Sequence, residues 1–560
     1  MSFTQNSSAA GPASVGETPE PGPHNAVRII AITLLLALFS YIYLGRANKK
    51  KLEEAIAKQH HCEPVLPYLP YKWPLALDLL KRQFEILLSD HAFEGLTPYF
   101  AVAATCCIHL FGATGYFTTD PDNIEAIIST NFEDYGLGSR RSAFLPLIGE
   151  GIFSQDGQAW KRSRELVRRQ FVRVQKQTLQ VLTPLVGELL SSIQGAASPE
   201  GLVDLKPFMF EYTLNTTTNL LFGEPHSSMS KEERDAVRDN FDYASFGCVG
   251  IRARLADLGW LYSPSKFRKS CKAVRDWATF FAAKAFKYKD EFGEEAAMEK
   301  YAFIIDLWKE MQDFDLVRDQ LLHILLAGRD STASLLCWTF FHLVRNRDVL
   351  ERLKQEIASV PTDGDITREQ VQKLPFLRCC LNETLRLYPT PPLNIRFANK
   401  PTVLPRGGGA DGMSPVLLPE GAGIAWSTYH LHRLESIYGT DSRIYRPQRW
   451  ESGELLKKAR PGAGYLDFHG GPRLCLGKDF ALTEASYAII RILQKFPNMR
   501  LAPGVPNEPV GAEKTGLYCW SISYRWYTCI VDVVRPSKRR KGVQGIKLLQ
   551  MTKSPRKPLL

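Results

Sequence analysis

None of the eleven cysteines in this 560-residue chain belongs to a Cys-x-x-Cys pair. Their odd number and two adjacent pairs, Cys106-Cys107 and Cys379-Cys380, argue against a disulfide framework and for a reducing compartment. Acidic residues are missing from Pro536 to Leu560, which holds eight Lys and Arg, so +8 of the formal net charge of +11 sits on this tail and +3 on everything before it. The charge therefore does not mark the body as a nucleic-acid binder, and no nucleic-acid partner is expected for it. The tail, with Lys538-Arg539-Arg540-Lys541, reads as a solvated or membrane-surface extension, with a localisation signal or a nucleic-acid contact as alternatives. Apolar periodicity is missing from residues 1–25, rich in Ser, Gly, Pro and Ala, which predicts a disordered tail. Charge is missing from Ile29 to Leu44. With Ala26 and Val27 added and Arg28 snorkelling, this stretch reaches the lower end of a membrane-spanning length, giving a single-pass anchor over 26–46. No small-residue cleavage site argues for a removed signal peptide. Arg46, Lys49, Lys50 and Lys51 behind the span place the body on the cytosolic side.

Pro64, Pro67, Pro70 and Pro74 then predict an extended, stiff connector over 47–75 rather than a helix. Beyond it, Tyr99 to Phe111 reads as a strand, Thr118 to Pro121 as a turn and Asn123 to Thr130 as a helix. Short strands in a mostly helical chain predict small β-sheets packed on an α-helical body. With 44% hydrophobic residues the chain can bury a large core, and length alone would divide it into three or four domains.

Four groups of residues carry chemistry. The first is Phe468-His-Gly-Gly-Pro-Arg-Leu-Cys-Leu-Gly477, which presents Cys475 at the mouth of a glycine-rich turn. Gly471 and Gly477 allow close approach and dihedrals that a side chain would forbid, and Arg473 offers a fixed charge to an acidic group. The second is Trp160 and Arg164, four apart on one helix face, where an indole N–H and a guanidinium suit a carboxylate. Lys161, Arg162, Arg168 and Arg169 crowd the same segment, and a basic face there would either attract an acidic partner or simply be solvated. The third is Ala327-Gly-Arg-Asp-Ser-Thr-Ala333, inside the apolar helical stretch Leu316 to Val344. Gly328 costs about 1 kcal/mol of helix propensity against alanine. Ser331 and Thr332 can bond back to carbonyls and bend the helix, so an opening is expected there. The fourth is Glu383 and Arg386, three apart on a helix that Pro389 ends, together with Arg449.

Phe-x-x-Gly-x-Arg-x-Cys-x-Gly, followed by the helical run Lys478 to Glu484, resembles the haem-binding loop of the cytochrome P450 family. From about Pro67 to Gly516 the resemblance implies one haem domain, which overrides the division by length; with the flanking segments it spans 76–535, and 536–560 is the basic tail. It implies haem b with Cys475 as axial thiolate, which pushes electron density into the iron and favours O–O cleavage. Phe468, Gly471, Arg473 and Gly477 would shape the cofactor loop, and Trp160 and Arg164 would hold a haem propionate. Asp330 followed by Ser331 would relay protons to bound oxygen, with Thr332 as the alternative hydroxyl. Ser331 stands where the family more often has threonine. Glu383, Arg386 and Arg449 match a buried structural triad around the haem loop, and Ala327 removes the glutamate that esterifies haem in some relatives.

Phe132 to Arg140, Phe144 to Gly149, Arg252 to Tyr262 and Leu404 to Gly409 with Tyr429 to Arg433 resemble the fungal alkane and fatty-acid hydroxylases in particular. Asp467 departs from the proline of that branch, and the region after Gly516 departs from its usual end. The expected function is hydroxylation of a long alkane or fatty acid at or near its end, supported by NADPH-cytochrome P450 reductase, O2 and an endoplasmic-reticulum membrane. Hydroxylation of the alkyl tail of a secondary metabolite, and a non-enzymatic haem-binding or regulatory protein, are the alternatives. Leu137 to Phe144, Leu322 to Ala327 and Leu393 to Phe397 are the expected pocket walls.

Overall fold

The computed structural model describes residue 34 and residues 43–88, 92–110, 112–174 and 178–503, with short strands at 516–518, 521–523 and 530–532. The tails 1–25 and 536–560 and nearly all of the expected anchor lie outside these residues. Among the described residues no helix is long and apolar enough to cross a membrane. The chain divides into two compact units, Met1–Cys62 and Glu63–Leu560. In the first, residues 43–59 are helical, so the stretch expected to be extended from 47 becomes so only afterwards. All four prolines lie in the second unit, where the segment is pinned to a sheet edge. The Leu69 N–H donates to Cys107 O at 2.9 Å, and the Cys107 N–H donates to Pro67 O at 3.0 Å. Proline cannot donate, but its carbonyl still serves the ladder.

That edge belongs to a five-stranded sheet. Strands β1 (Thr105–Leu110), β2 (Ala113–Thr118), β3 (Tyr135–Gly136), β4 (Leu393–Ala398) and β5 (Gly423–Ser427) pair in the order β1-β2-β5-β4-β3. β2 and β5 run parallel, and the other neighbours antiparallel. The strand expected from Tyr99 starts only at Thr105, because residues Ala92–Ala101 are helical. Packing overrides the local pattern here: the Tyr99 and Phe100 rings meet Phe117 at 5.5 and 5.7 Å, and the Cys106 thiol donates to Tyr99 O at 3.0 Å.

The helical body is built on α1 (Arg140–Ile148), α2 (Gly157–Val174), α3 (Lys206–Phe222), α4 (Lys231–Ser245), α5 (Phe314–Leu343), α6 (Pro375–Leu387) and α7 (Lys478–Lys495). α5 starts at Asp313, whose carboxylate accepts the Leu316 N–H at 3.0 Å. It is buried on nearly every side, as its largely apolar sequence requires, and packs on α3, α6 and α7. A Cβ on Gly328 would stand 2.6 Å from Thr217 Oγ1, so the helix-weakening glycine lets α3 cross closely. The expected opening does not occur: α5 stays helical from end to end. Beyond residue 516, Gly516–Tyr518 and Ser521–Ser523 form an antiparallel hairpin, the second strand running against α5.

Candidate active site

The loop that carries Cys475 is held from below by a buried ionic node. The Glu383 carboxylate accepts from Arg386 Nε and Nη2 at 2.8 Å each, from Arg449 Nε at 3.0 Å and from the Trp450 indole at 2.9 Å. Glu383 and Arg386 side chains are 0% exposed. Burial would raise the Glu383 carboxyl, but the two guanidinium groups and the Arg446 N–H hold it below the usual carboxylate range. His432, which lies in the Tyr429 to Arg433 match but was given no role there, links this node to the loop. The Leu466 N–H donates to His432 Nε2 at 2.8 Å, so Nδ1 carries the proton and donates to Arg386 O at 3.1 Å.

Gly471 has φ +60, and a Cβ there would lie 1.8 Å from Ile128 O. Gly477 differs from expectation: its φ is −86, an ordinary conformation. Its N–H instead serves the Cys475 sulfur, countering the burial that raises the thiol, with Arg164 and Lys478 adding to the effect. Cys475 is an exposed residue only because its sulfur faces an internal cavity. Asp467 is paired with Lys478 at 2.8 Å and also lies on that cavity, where its charge opposes the thiolate.

The structure brings Cys475, Phe468, Arg473, Gly477, Trp160, Arg164, Ser331 and Thr332 to the wall of this one cavity. Asp330 and Gly471 lie off it, and Glu383, Arg386 and Arg449 form the separate node beneath. Arg473 is already partly engaged: Nη2 meets Asp156 Oδ1 at 2.6 Å, and its guanidinium lies 4.4 Å from the Trp160 ring centre. Arg164 donates to Leu474 O at 2.8 Å.

The third expected wall is corrected by the pleat of β4. Alternate residues Asn394, Arg396 and Ala398 are buried, and Asn394 and Arg396 line the cavity while Leu393 does not. This wall is polar. Arg396 is 5% exposed, its guanidinium bonds only to Asn394 Oδ1 and Ile395 O among the described residues, and burial together with Arg140 and Arg473 pushes its pKa well down. Beside it, His469 Nδ1 lies 2.8 Å from both Gly470 N and Gly470 O, and its buried Nε2 has no hydrogen-bond partner among the described residues. Burial pushes His469 down to about 3, so it stays neutral. A buried cluster of cations with an unpartnered imidazole nitrogen beside it, a thiol on the wall and apolar surface elsewhere fit a flat apolar macrocycle with acidic substituents and a thiolate-bound metal. The haem expected from the sequence has this chemistry. Cys475 would ligate its iron, and Trp160, Arg140, Arg164, Arg396, His469 and Arg473 are the groups able to hold its carboxylates.

On α5, the Ser331 hydroxyl donates to Ala327 O at 2.7 Å, and Thr332 is 3% exposed. Asp330 Oδ1 faces Arg329 Nε at 3.5 Å, and burial raises its carboxyl to about 6 against the opposing pull of Arg329. A second buried acid was missed by sequence reasoning. Glu484 on α7 accepts the Thr216 hydroxyl, is also hydrogen-bonded by Thr332, and is raised by burial to about 8. Its signal was available, since it ends the helical run after Cys475.

The basic face of α2 is largely neutralised within the chain. Lys161 pairs with Glu133 at 2.9 Å, Arg168 with Glu165 at 2.9 Å and Arg169 with Glu310 at 3.1 Å, while Arg162 donates to Glu310 O at 3.0 Å.

Comparison with known proteins agrees with this geometry. The profile of the family described as Cytochrome P450 matches residues 103–516. The chain is similar to Cytochrome P450 52A5 of Candida maltosa, 40% identical over 502 residues that cover 85% of this chain and 91% of that one. Its similarity to Cytochrome P450 52A13 of Debaryomyces hansenii is 37% over 468 residues, covering 80% and 89%. A protein named Cytochrome P450 from Arthroderma benhamiae is 37% identical over 519 residues, covering 88% and 98%.

Proposed function

The chain belongs to the cytochrome P450 family, and from that premise we propose that it inserts one atom of O2 into an unactivated C–H bond at or near the end of a long alkane or fatty acid. The observation that supports this reading is the cavity: a cysteine thiol on one wall, hydroxyl-bearing α5 on another, and Leu137, Phe153, Leu220, Ile324 and Leu326 among its apolar lining. A bound haem would supply the chemistry of dioxygen activation, fed with electrons by NADPH-cytochrome P450 reductase at the membrane of the endoplasmic reticulum. The residues of the chain do the rest. Cys475 would hold the metal and donate electron density to it, and the buried cations would neutralise the carboxylates. Ser331 stands on the wall able to pass a proton into the cavity, with Asp330 behind it and Thr332 beside it.

A terminal C–H bond is stronger than an internal one, so reactivity alone favours internal positions and the shape of the site must impose the choice. Each buried methylene contributes about 0.8 kcal/mol, which draws a long chain from the membrane and holds it stretched. The test is to incubate membranes containing this protein and a reductase with fatty acids, alkanes and lipophilic metabolites, and to identify the products by mass. Terminal or near-terminal alcohols of fatty acids or alkanes support the reading, and internal products across all chain lengths refute it. Leu326→Ala, which enlarges an apolar wall, should move oxidation inward along the chain.

A further inference from the structure

A line of charge runs from the surface to Asp330. On α4, Asp242 has a side chain 52% exposed, and its Oδ1 lies 2.7 Å from Arg329 Nη1. Arg329, 7% exposed, reaches past it to Asp330 Oδ1 at 3.5 Å. The guanidinium is steadied by the Phe241 ring at 5.3 Å, and Thr213 on α3 donates to the Arg329 carbonyl at 2.6 Å. One cation thus serves two carboxylates, and the shorter contact goes to the outer one.

Among the described residues, Arg329 and Asp242 are the charged groups that act on Asp330. The other ionisable groups around Arg329 are committed elsewhere. Arg234 meets Glu211, Arg238 meets Asp235, and His226 is pushed by burial down to about 4 and stays neutral. Opposite charge favours a carboxylate and like charge disfavours it, so whatever holds Arg329 decides how readily Asp330 accepts a proton.

We propose that Asp242 is a positioning residue for proton delivery: by holding Arg329 it leaves Asp330 free to take up a proton. The inference rests on the reading of Asp330 as a proton relay. In each cycle the Asp330 carboxylate takes a proton from solvent, gives it toward the cavity and returns to its starting form.

The test uses the full-length holoenzyme with isotope-labelled aspartate. Infrared difference spectra across a pH titration read the protonated Asp330 carboxyl, identified by its loss in Asp330→Asn. Asp242 is half exposed, so Asp242→Asn should fold. It is expected to move the Asp330 titration down by about one pH unit and to raise peroxide released per product several-fold, and Asp242→Glu should restore both. An unmoved titration in Asp242→Asn overturns the inference, whatever the turnover. If Asp330→Asn leaves the ratio of peroxide to product unchanged, the relay reading falls instead, since the titration needs no turnover to be measured.

Discussion

Glu383 shows how a single carboxylate can hold a site together without touching it. Two guanidinium groups, an indole and a backbone N–H converge on it, so Glu383→Gln leaves buried positive charge uncompensated. The expected loss is about 3–5 kcal/mol, read as a lower midpoint of chemical unfolding together with loss of bound haem. Ser331→Ala acts differently. It removes a hydroxyl from the cavity wall and nothing from the core, so haem content should stay near normal while peroxide per product rises. An unchanged ratio would pass the role to Thr332 or Glu484. Cys475→Ala should abolish the thiolate-type spectrum of the reduced carbon monoxide complex. At this scale the sequence was most informative where spacing is rigid. The Cys475 loop, the Trp160 and Arg164 pair and the Glu383 and Arg386 pair are each fixed by a local repeat. Glu484, Arg396 and His432 lie in segments the sequence marked, but their roles were not legible, because their partners come from distant segments.

Elements meet where small residues or hydrogen-bonded side chains allow it. Gly328 admits α3, and Gly328→Ala would drive a methyl group into Thr217 Oγ1. The overpacking should cost roughly 1–3 kcal/mol, outweighing the gain in helix propensity, and thermal unfolding would show the sign. The helix from Phe314 was readable from its apolar run, but its continuity was not, because packing of α3, α6 and α7 holds straight a stretch whose local sequence favours bending. β4 misled in the opposite way. Its apolar Leu393, Ile395 and Phe397 suggest a pocket wall, yet they occupy the alternate face of the pleat and Asn394 and Arg396 take the cavity side. Period two says which residues share a face, and only the neighbouring strands say which face is inside.

For the molecule as a whole, buried imidazoles set the response to acid. His323, His430, His432 and His469 are pushed by burial down to about 3, His226 to about 4 and His342 well below its ordinary range. Below about pH 6.5 the unfolded chain binds protons that the folded one refuses, so each imidazole removes up to about 1.4 kcal/mol per pH unit as pH falls toward these values. Glu484 and Asp330, raised to about 8 and about 6, act in the opposite direction because their folded forms hold protons more tightly. Six imidazoles outweigh these two carboxyls and that of Asp319, which burial also raises, so the thermal midpoint should drop from pH 7 to pH 5. A midpoint that rises over that interval would contradict the burial of these groups.

The proline-marked segment that donates to and accepts from Cys107 has a consequence for solubility. It covers the rim of the five-stranded sheet, and a rim with unpaired N–H and carbonyl groups is a template for the strands of another molecule. A chain shortened to begin at Glu63 keeps its cover and should elute as a single species in detergent-free buffer. One that begins after Leu69 uncovers the Cys107 backbone and should self-associate, visible as growing light scattering. The few residues after the first unit thus act as a selvedge, the woven border that keeps a fabric from unravelling.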